Sequence, residues 1–287
     1  MLLLSGFFAS CDLYDTQPAM IPGYIYVDSF SFVTKADGSE GANSSRFYDA
    51  WLYANSLSLG NIGFPALIPV QKSGPVTIRV EPGIFKSGQE DQRLAYPFIE
   101  GYDQVVNLRP GKIDTIRPVF RYFQNVKFLM IEDFDHPSFK FTYNKYFRDT
   151  TGVWDSILFV PDADTTFAKK NAGKLRIKNE STVFQMYTTD TFILTGQNGP
   201  VFWEMDYNSN MVIQFGYYYQ EPHQSLSSNR PVINLNPTNG WNKVYISLSE
   251  ELAGRAANTG FIFYIGIQKQ AGESATMMLD NIKLLSF

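Results

Sequence analysis

Short apolar runs, separated by glycine, proline or asparagine about every ten residues, follow one another along most of this chain. Aromatic residues make up 16% of it, including 24 Phe and 17 Tyr, and aromatic side chains favour strands. Short strands with turn residues between them are typical of sandwiches and barrels. Long helical periodicity is nearly absent, and the best helix candidate is a short one at Ser249–Leu252 with Ser249 as its N-cap. The sequence therefore predicts an all-β fold.

The size and charge of the chain narrow its class. Its 287 residues suffice for one or two domains, and its net charge of −4 argues against nucleic acid as a partner, because nucleic-acid binding needs a basic surface. No segment beyond the N-terminus approaches the ~20 apolar residues of a membrane-spanning helix. Because Cys11 is the only cysteine, no disulfide forms within the chain, and the core must supply the stability.

The N-terminus carries a candidate targeting signal. An apolar stretch ends in Phe8, Ala9 and Ser10, directly before Cys11. This order resembles the end of a bacterial lipoprotein signal peptide, which implies that residues 1–10 are removed and that acyl chains such as palmitate on Cys11 anchor the protein to a membrane. The positive charges that usually open such a signal are missing. The alternative is a frayed apolar N-terminus with a chance cysteine.

Residues 11–22 are polar and carry two prolines, which predicts a tether. Asp12 and Asp15 lie close behind Cys11 and resemble the export tags of surface lipoproteins in the Bacteroidota. The resemblance implies an outer-membrane, lipid-anchored protein that reaches the cell surface. A plain solvated linker is the alternative reading of the same residues.

A first domain is predicted over residues 23–122. Within it, residues 48–84 run through a strand, a short turn, a Leu-Gly step, a proline-containing stretch, a glycine turn and a strand that closes on Pro-Gly. The successive features are Ala50–Asn55, Leu59–Gly60, Pro65, Pro69, Gly74 and Val76–Gly83. This order resembles PEGA-type domains, although Asn55-Ser56 replaces their common Asp-Gly turn. The resemblance implies a small Ig-like β-sandwich that serves as a spacer or interaction module.

A second domain is predicted over residues 126–287. It opens on Phe128–Asp135 and closes on Met277–Leu285, and these two segments resemble the first and last strands of carbohydrate-binding-module jelly rolls of the galactose-binding-like class. The candidate strands between them are Thr182–Thr188, Thr191–Leu194, Pro200–Tyr207, Met211–Tyr219, Trp241–Leu248 and Phe261–Gln268. Their number and length suit a jelly roll.

The same resemblance implies a structural Ca²⁺. Asp135 and Asp280 occupy the places where acids of the first and last strands hold the ion in such modules. Ca²⁺ takes six to eight oxygen ligands, so backbone carbonyls and water would complete the shell. A pair of ordinary strand-end acids is the alternative.

Alternation along the strands separates core residues from outward residues. The inward set is Val201, Trp203, Met205, Tyr207, Met211, Ile213, Phe215, Tyr217, Tyr219, Val244, Ile246, Leu248, Phe261, Phe263, Ile265 and Ile267. If these strands share one sheet, its outer face carries Glu204, Asp206, Gln214, Tyr218, Tyr245, Tyr264 and Gln268.

Sugars bind such surfaces, because their C–H faces stack on aromatic rings while their hydroxyls meet planar acceptors. This outer face is therefore the predicted ligand-binding site, with Trp154 and the loop Gln220–Arg230 as its rim. The alternatives are a solvated sheet face with scattered aromatics, or a face covered by a loop or a partner protein.

Catalytic motifs are missing from the sequence. There is no G-x-S-x-G elbow, no HExxH and no metal-spaced group of His or Cys, and His136 and His223 each lie beside a proline. Glu204 and Asp206 point to the same face of one strand, but no feature ties them to a partner across a cleft, as glycoside hydrolysis requires. No catalytic residue and no required cofactor is predicted.

Three functions remain open. The first is a non-catalytic cell-envelope lipoprotein that binds glycan on its jelly-roll domain. The second is a structural or accessory lipoprotein subunit of an outer-membrane protein complex, with its aromatic faces buried in the interface. A glycoside hydrolase is the least favoured.

Overall fold

The computed structural model describes residues 20–136, 138–143, 156–161, 171–177, 182–194 and 199–287. Within these ranges the chain is almost entirely β, and the one α-helix is Ser249–Leu252 (α1), at the predicted position. The predicted N-cap is wrong: Leu248 occupies the cap, and Oγ of Ser249 instead accepts a hydrogen bond from the backbone N–H of Val201 (3.2 Å). No helix in the described part of the chain is long and apolar enough to cross a membrane.

The first half of the chain forms three sheets around one core. Its strands are β1 (Gly23–Val27), β2 (Ser31–Phe32), β3 (Asp49–Ala54), β4 (Leu57–Gly63), β5 (Ala66–Val70), β6 (Gly74–Phe85), β7 (Arg93–Ala95), β8 (Ile99–Glu100), β9 (Tyr102–Leu108), β10 (Ile113–Ile116) and β11 (Val119–Tyr122). The largest sheet has the order β4-β3-β6-β7, with β9 also paired to β6. The two smaller sheets are β10-β1-β5 and β2-β11-β8. Ile25, Leu52, Ile78 and Phe120, from all three sheets, are fully buried in the shared core.

The predicted strand–turn–strand order of residues 48–84 is confirmed. Strand β3 ends at Ala54, and Asn55 and Ser56 follow with φ of 48° and 66°. Two positive φ values in succession are the geometry of a tight hairpin turn. Strand β6 includes Pro82 and Gly83 but continues to Phe85, so the predicted close of the strand on Pro-Gly is wrong. The PEGA-like identity of this half stays a prediction.

The second half forms a two-sheet sandwich. Its strands are β12 (Lys127–Glu132), β13 (Phe141–Tyr143), β14 (Ser156–Pro161), β15 (Asn171–Arg176), β16 (Val183–Thr188), β17 (Phe192–Ile193), β18 (Phe202–Ser209), β19 (Ile213–Gln220), β20 (Arg230–Leu235), β21 (Asn242–Ser247), β22 (Gly260–Gln268) and β23 (Thr276–Ser286). One sheet, here called the junction sheet, has the order β14-β15-β23-β18-β21, with β12 on β23. The other, the outer sheet, has the order β13-β16-β22-β19-β20, with β17 on β22.

The core of this sandwich confirms the predicted alternation. Trp203 of the junction sheet packs against Phe215 and Phe263 of the outer sheet, with ring centroids 4.9 and 5.4 Å apart. Each residue predicted to face inward belongs to this core or packs against it. The predicted fold class, an all-β chain with a jelly-roll sandwich in its second half, is confirmed.

The two halves share buried surface. Phe202, Tyr245 and Leu285 of the junction sheet belong to the same hydrophobic cluster as the core of the first half. Tyr96 packs on Tyr245 and Phe202, with ring centroids 4.9 and 5.5 Å apart. The first half therefore covers the face of the junction sheet that points away from the sandwich core. The predicted domain division between residues 122 and 126 stays a prediction.

Candidate functional site

The seven residues predicted to form one ligand-binding face lie on two different sheets. Glu204, Asp206 and Tyr245 are in the junction sheet, on β18 and β21. The other four, Gln214, Tyr218, Tyr264 and Gln268, are in the outer sheet, on β19 and β22. The assumption of a single face is wrong, because alternation fixes which side of its own sheet a residue faces but not which sheet the strand joins.

The junction group is buried rather than open to a ligand. Glu204 and Asp206 are each 1% exposed and Tyr245 is 2% exposed. Nζ of Lys243 lies 3.2 Å from Oε2 of Glu204 and 3.4 Å from Oδ1 of Asp206. The first half of the chain covers these two carboxylates, so they do not lie on a solvated face. Their buried charge is paired with the ammonium group of Lys243.

Hydrogen bonds from the first half complete this cluster. The hydroxyls of Tyr96 and Tyr122 donate to Oε1 of Glu204 at 2.7 and 3.0 Å. Oγ of Ser44 donates to Oδ2 of Asp206 at 2.5 Å. The backbone N–H of Arg46 donates to the hydroxyl of Tyr245 at 2.9 Å. Glu204, Asp206 and Tyr245 were predicted to bind a ligand, but in the structure their polar atoms form hydrogen bonds with the first half of the same chain.

The charges in the cluster shift one another. Burial alone would raise the pKa of Glu204, but Lys243, Lys283 and the two tyrosine hydroxyls outweigh it and hold the pKa below its usual value. Burial lowers the pKa of Lys283 to about 8, although the nearby carboxylates oppose that shift. Burial, and then the charge of Glu204, raise the pKa of Tyr96 well above its usual value.

The outer sheet carries a cluster of tyrosines on its outer face. Tyr187 and Tyr264 each pack beside Tyr218, with ring centroids 5.8 and 5.6 Å from it. Leu226, from the loop predicted to rim the site, packs against this cluster. Trp154, the other predicted rim residue, lies outside the described residues.

The tyrosine hydroxyls hold amide side chains in fixed orientations. The hydroxyl of Tyr187 donates to Oε1 of Gln185 at 2.5 Å, and that of Tyr264 donates to Oε1 of Gln214 at 2.9 Å. Gln185 and Gln214 flank Gly266 in adjacent strands. A Cβ on Gly266 would lie 2.8 Å from Cγ of Gln185 and 3.0 Å from the backbone oxygen of Phe184, so glycine lets Gln185 lie against this strand.

Exposure on this face is graded. Tyr264 and Tyr187 are 0% and 1% exposed, and Tyr218 is 9% exposed. Gln214 is partly exposed and Gln268 is exposed. Burial raises the pKa of Tyr264 to about 12, so its hydroxyl keeps its proton even at pH values above 10.0, where an ordinary tyrosine loses it. The buried tyrosines therefore support a polar rim made of amides.

The acids predicted to bind calcium line one cavity. Asp135 and Asp280, together with Asp133 and Asn281, line a space of about 280 Å³. Oδ1 of Asp135 accepts a hydrogen bond from the backbone N–H of Asn171 at 3.1 Å. Oδ1 of Asn281 is buried and has no hydrogen-bond partner within the described ranges of the chain. These carboxylate and amide oxygens are of the kind that Ca²⁺ prefers.

The described residues contain no group of three or more His, Cys, Asp or Glu placed to hold a metal ion. The calcium site stays a prediction.

Sequence reasoning missed the partners that define both clusters. Lys243 and Lys283 are buried at 2% and 0% exposure, and neither was predicted to matter. Gln185 and Tyr187 lie in the predicted strand Thr182–Thr188. Applying the same alternation there would have placed both on one face of their strand, although their place beside Tyr264 depends on the pairing of β16 with β22.

Comparisons with known proteins give only remote likenesses. No protein-family model matches the chain, and no curated protein matches it. Among solved structures, it is similar to the family 11 carbohydrate-binding module of cellulase Lic26A-Cel5E from Clostridium thermocellum, with 12% identity, 56% of this chain and 94% of that chain covered, and a TM-score of 0.38.

Two further likenesses are of the same order. The CBM22-1 xylan-binding domain of Paenibacillus barcinonensis Xyn10C shares 8% identity, with 55% of this chain and 93% of that chain covered and a TM-score of 0.36. The enzymatically active domain of bacteriophage CBA120 tailspike protein 4 shares 11% identity over 54% of this chain and 20% of its own length, with a TM-score of 0.37. At this level of likeness no ligand or activity transfers to this chain.

Proposed function

We propose that the chain is a non-catalytic cell-envelope lipoprotein that binds glycan on the outer sheet of its second half. One observation carries the proposal: amide side chains oriented by tyrosine hydroxyls stand on β16 and β19, the two strands that flank β22 in that sheet. Gln214 accepts from Tyr264, and its own Nε2 lies 3.4 Å from Oδ1 of Asn234. Gln268 extends the same polar surface toward solvent.

The chemistry of this surface suits a sugar. A planar amide offers a donor and an acceptor side by side, which matches neighbouring hydroxyls on a pyranose ring. Tyr218 is 9% exposed, so it offers C–H groups only a small part of its ring. Because the hydroxyls of Tyr187 and Tyr264 already fix the amides, little side-chain entropy is lost on binding.

The placement of the carboxylates supports a binding role over a hydrolytic one. Glycoside hydrolysis needs two acids that flank a substrate bond. Glu204 and Asp206, the pair considered from the sequence, are buried beneath the first half and occupied by Lys243. Glu132, another acid of the opening strand, accepts the backbone N–H of Phe134 at 2.8 Å.

A glycan array probed with the full chain tests the proposal. The double variant Gln214→Ala/Gln268→Ala is expected to weaken retention of the bound glycans by about tenfold or more, since each of its two lost hydrogen bonds is worth about 1 kcal/mol. Tyr218→Ala is expected to weaken retention less, because it removes ring surface and not a hydrogen bond to the ligand. Gln71→Ala, an exposed glutamine of the first half, is the matched control. Retention that survives both variants would place the glycan elsewhere.

We also propose that an acyl anchor on Cys11 holds the chain at the outer membrane. Residue 11 lies outside the described residues, so the support is the sequence pattern alone. Detergent phase partitioning of the protein made in a bacterial host is the measurement. The native chain should enter the detergent phase and Cys11→Ala the aqueous phase. If the native chain and Cys11→Ala partition equally between the two phases, the proposed acyl anchor on Cys11 is wrong.

The predicted Ca²⁺ is open to a direct test. The melting temperature of the full chain is measured with a chelator and with Ca²⁺. It should be higher in Ca²⁺, because an ion that binds only the folded state stabilises that state. Asp280→Asn should abolish that rise. An unchanged melting temperature would leave Asp135 and Asp280 as strand-end acids.

An exposed apolar face favours the accessory-subunit alternative. The face of sheet β10-β1-β5 that points away from the core carries Leu67 and Ile113, which are 52% and 59% exposed. They stand opposite Tyr26 and Tyr24 in neighbouring strands. Exposed apolar patches often mark protein contacts. Capture of a defined outer-membrane partner by the native chain, lost in Leu67→Ser/Ile113→Ser, would support this second function.

A further inference from the structure

The largest sheet of the first half carries an open groove on its outer face. Tyr53, Asn55, Ser56, Thr77, Arg79, Glu81 and Asp103 line it, and its volume is about 730 Å³. We propose that this groove, here called the N-terminal groove, is a second binding site, and that its ligand is a neutral oligosaccharide. The volume falls within the range of small-molecule sites, about 300–1,000 Å³.

One aromatic side chain, that of Tyr53, lines the N-terminal groove, and Trp51 precedes it on the same strand. Tyr53 and Trp51 are two residues apart on β3, so both point to the outer face, and both are half-buried. Trp51 stands directly opposite Glu81 on β6, and Tyr53 stands opposite Arg79. Nε1 of Trp51 has no hydrogen-bond partner among the described residues. The ring of Tyr53 offers surface for sugar C–H groups.

Planar charged groups form the floor. Nε of Arg79 lies 2.7 Å from Oε1 of Glu81, and its Nη1 lies 2.8 Å from Oδ2 of Asp103. Each carboxylate uses one oxygen in its ion pair, which leaves the second oxygen for a ligand hydroxyl. The three side chains are 41%, 27% and 49% exposed in the order Arg79, Glu81, Asp103, so a ligand can reach them.

The backbone around the groove is shaped to hold these groups. A Cβ on Gly101 would lie 2.8 Å from Nη2 of Arg79, so the missing side chain is what lets the guanidinium lie against the strand. The register of β3 with β4 shifts between Leu52 and Tyr53, where Leu59 of β4 is left without a partner, while the register of β3 with β6 is continuous. Oδ1 of Asn55 accepts the backbone N–H of Thr77 at 2.8 Å, which fixes the rim.

The charge balance selects the ligand class. One guanidinium faces two carboxylates, so the groove has a net negative charge and disfavours acidic sugars. A neutral oligosaccharide satisfies both the ring of Tyr53 and the hydroxyl-binding floor. This site does not depend on the outer-sheet site proposed above, because none of its residues belongs to the second half of the chain.

Hydrogen–deuterium exchange on the full chain locates binding. The probes are cellohexaose, xylohexaose and laminarihexaose, with tri-galacturonic acid as the acidic control. We expect at least one neutral probe to slow exchange in β3, β6 and β9, and the acidic probe to have no effect there. Tyr53→Ala and Asp103→Asn should weaken that probe by about tenfold or more, since hot-spot aromatics and charge-assisted hydrogen bonds dominate small sites.

Val105→Ala, an exposed change on the same face outside the groove, is the matched control and should bind as the native chain does. Thermal melting of each variant shows that it folds. Protection confined to β19 and β22, with unchanged binding by Tyr53→Ala, would overturn the second site while leaving the outer-sheet site in place. Protection confined to β3, β6 and β9 would support the N-terminal groove and remove the outer-sheet site. No protection with any neutral probe would overturn the inference.

Discussion

The two sheets of the second half present outward faces that look alike in the sequence and differ in the structure. Both alternate apolar residues with tyrosines and polar side chains. The junction sheet sets two acids, Glu204 and Asp206, against two lysines, Lys243 and Lys283, all at most 2% exposed. The outer sheet carries neutral glutamines around its tyrosines instead. Charges that balance across neighbouring strands therefore mark the face that the protein covers, and uncharged amides mark the face it leaves partly open.

The largest expected effect comes from breaking the charge balance of the junction sheet. Lys243→Ala leaves Glu204 and Asp206 as buried carboxylates without their shared cation, which should cost about 3–5 kcal/mol of unfolding free energy. Lys174→Ala removes an exposed lysine from β15 of the same sheet and should change stability by less than about 0.5 kcal/mol. Urea unfolding measures both. Equal losses in the two variants would contradict the distinction between the faces.

The pH dependence of stability should come from the junction sheet. Lys283 has a pKa of about 8 in the folded chain, below its ordinary value of 10.5. Between these values the unfolded chain binds more protons, so stability should rise with pH, on the order of 2 kcal/mol. Above about pH 10 the trend reverses, because burial holds the pKa of Tyr96, Tyr122 and Tyr245 well above 10.0 and only the unfolded chain loses their protons.

Denaturant midpoints taken across pH 7–10 measure this rise, and Lys283→Met supplies the comparison. The variant should show a flat profile over that window. A rise that persists in Lys283→Met would assign the titration to another group. Gln214 of the outer sheet carries no charge, so Gln214→Ala should show the same rise of stability with pH as the native chain.

Overpacking should break the outer sheet. A Cβ on Gly216 would collide with the backbone oxygen of Arg230 on β20 and would lie 2.6 Å from the hydroxyl of Tyr264. Gly216→Ala should therefore cost about 1–3 kcal/mol. Gly63→Ala, on β4 with no atom within 4 Å of the added Cβ, should be nearly neutral. Thermal unfolding compares the two, and a neutral Gly216→Ala would mean that β20 and the tyrosine cluster shift freely.

The smallest expected effect is on a single hydrogen bond. Tyr264→Phe removes the donor to Gln214 and should cost about 1 kcal/mol. It should also weaken glycan retention, since Gln214 loses its fixed orientation. Tyr26→Phe, on the far sheet of the first half, should change neither quantity. If glycan retention is unaffected by Tyr264→Phe, the hydroxyl of Tyr264 does not contribute to glycan binding.

The sequence predicted the strands and their inward faces well, because alternation is a local property of each strand. Trp203, Phe215 and Phe263 were placed in the core correctly for that reason. Sheet membership depends on which strands pair across many residues, so Glu204 and Gln214 were placed on one face when they lie on two. The cover over Glu204 comes from Tyr96 and Tyr122, more than 80 residues away in the chain, and no local pattern announces it.

The shared core at the junction bears on how such a protein can evolve and be cut apart. The second half taken alone would present Glu204, Asp206, Lys243 and Lys283 to water beside bare Phe202 and Leu285. The first half taken alone would lose the wall that covers Tyr96. The chain is therefore expected to be inherited and engineered as a single cassette. A gene fragment that ends near residue 122 would yield an aggregating product, and the two fragments produced together should find each other.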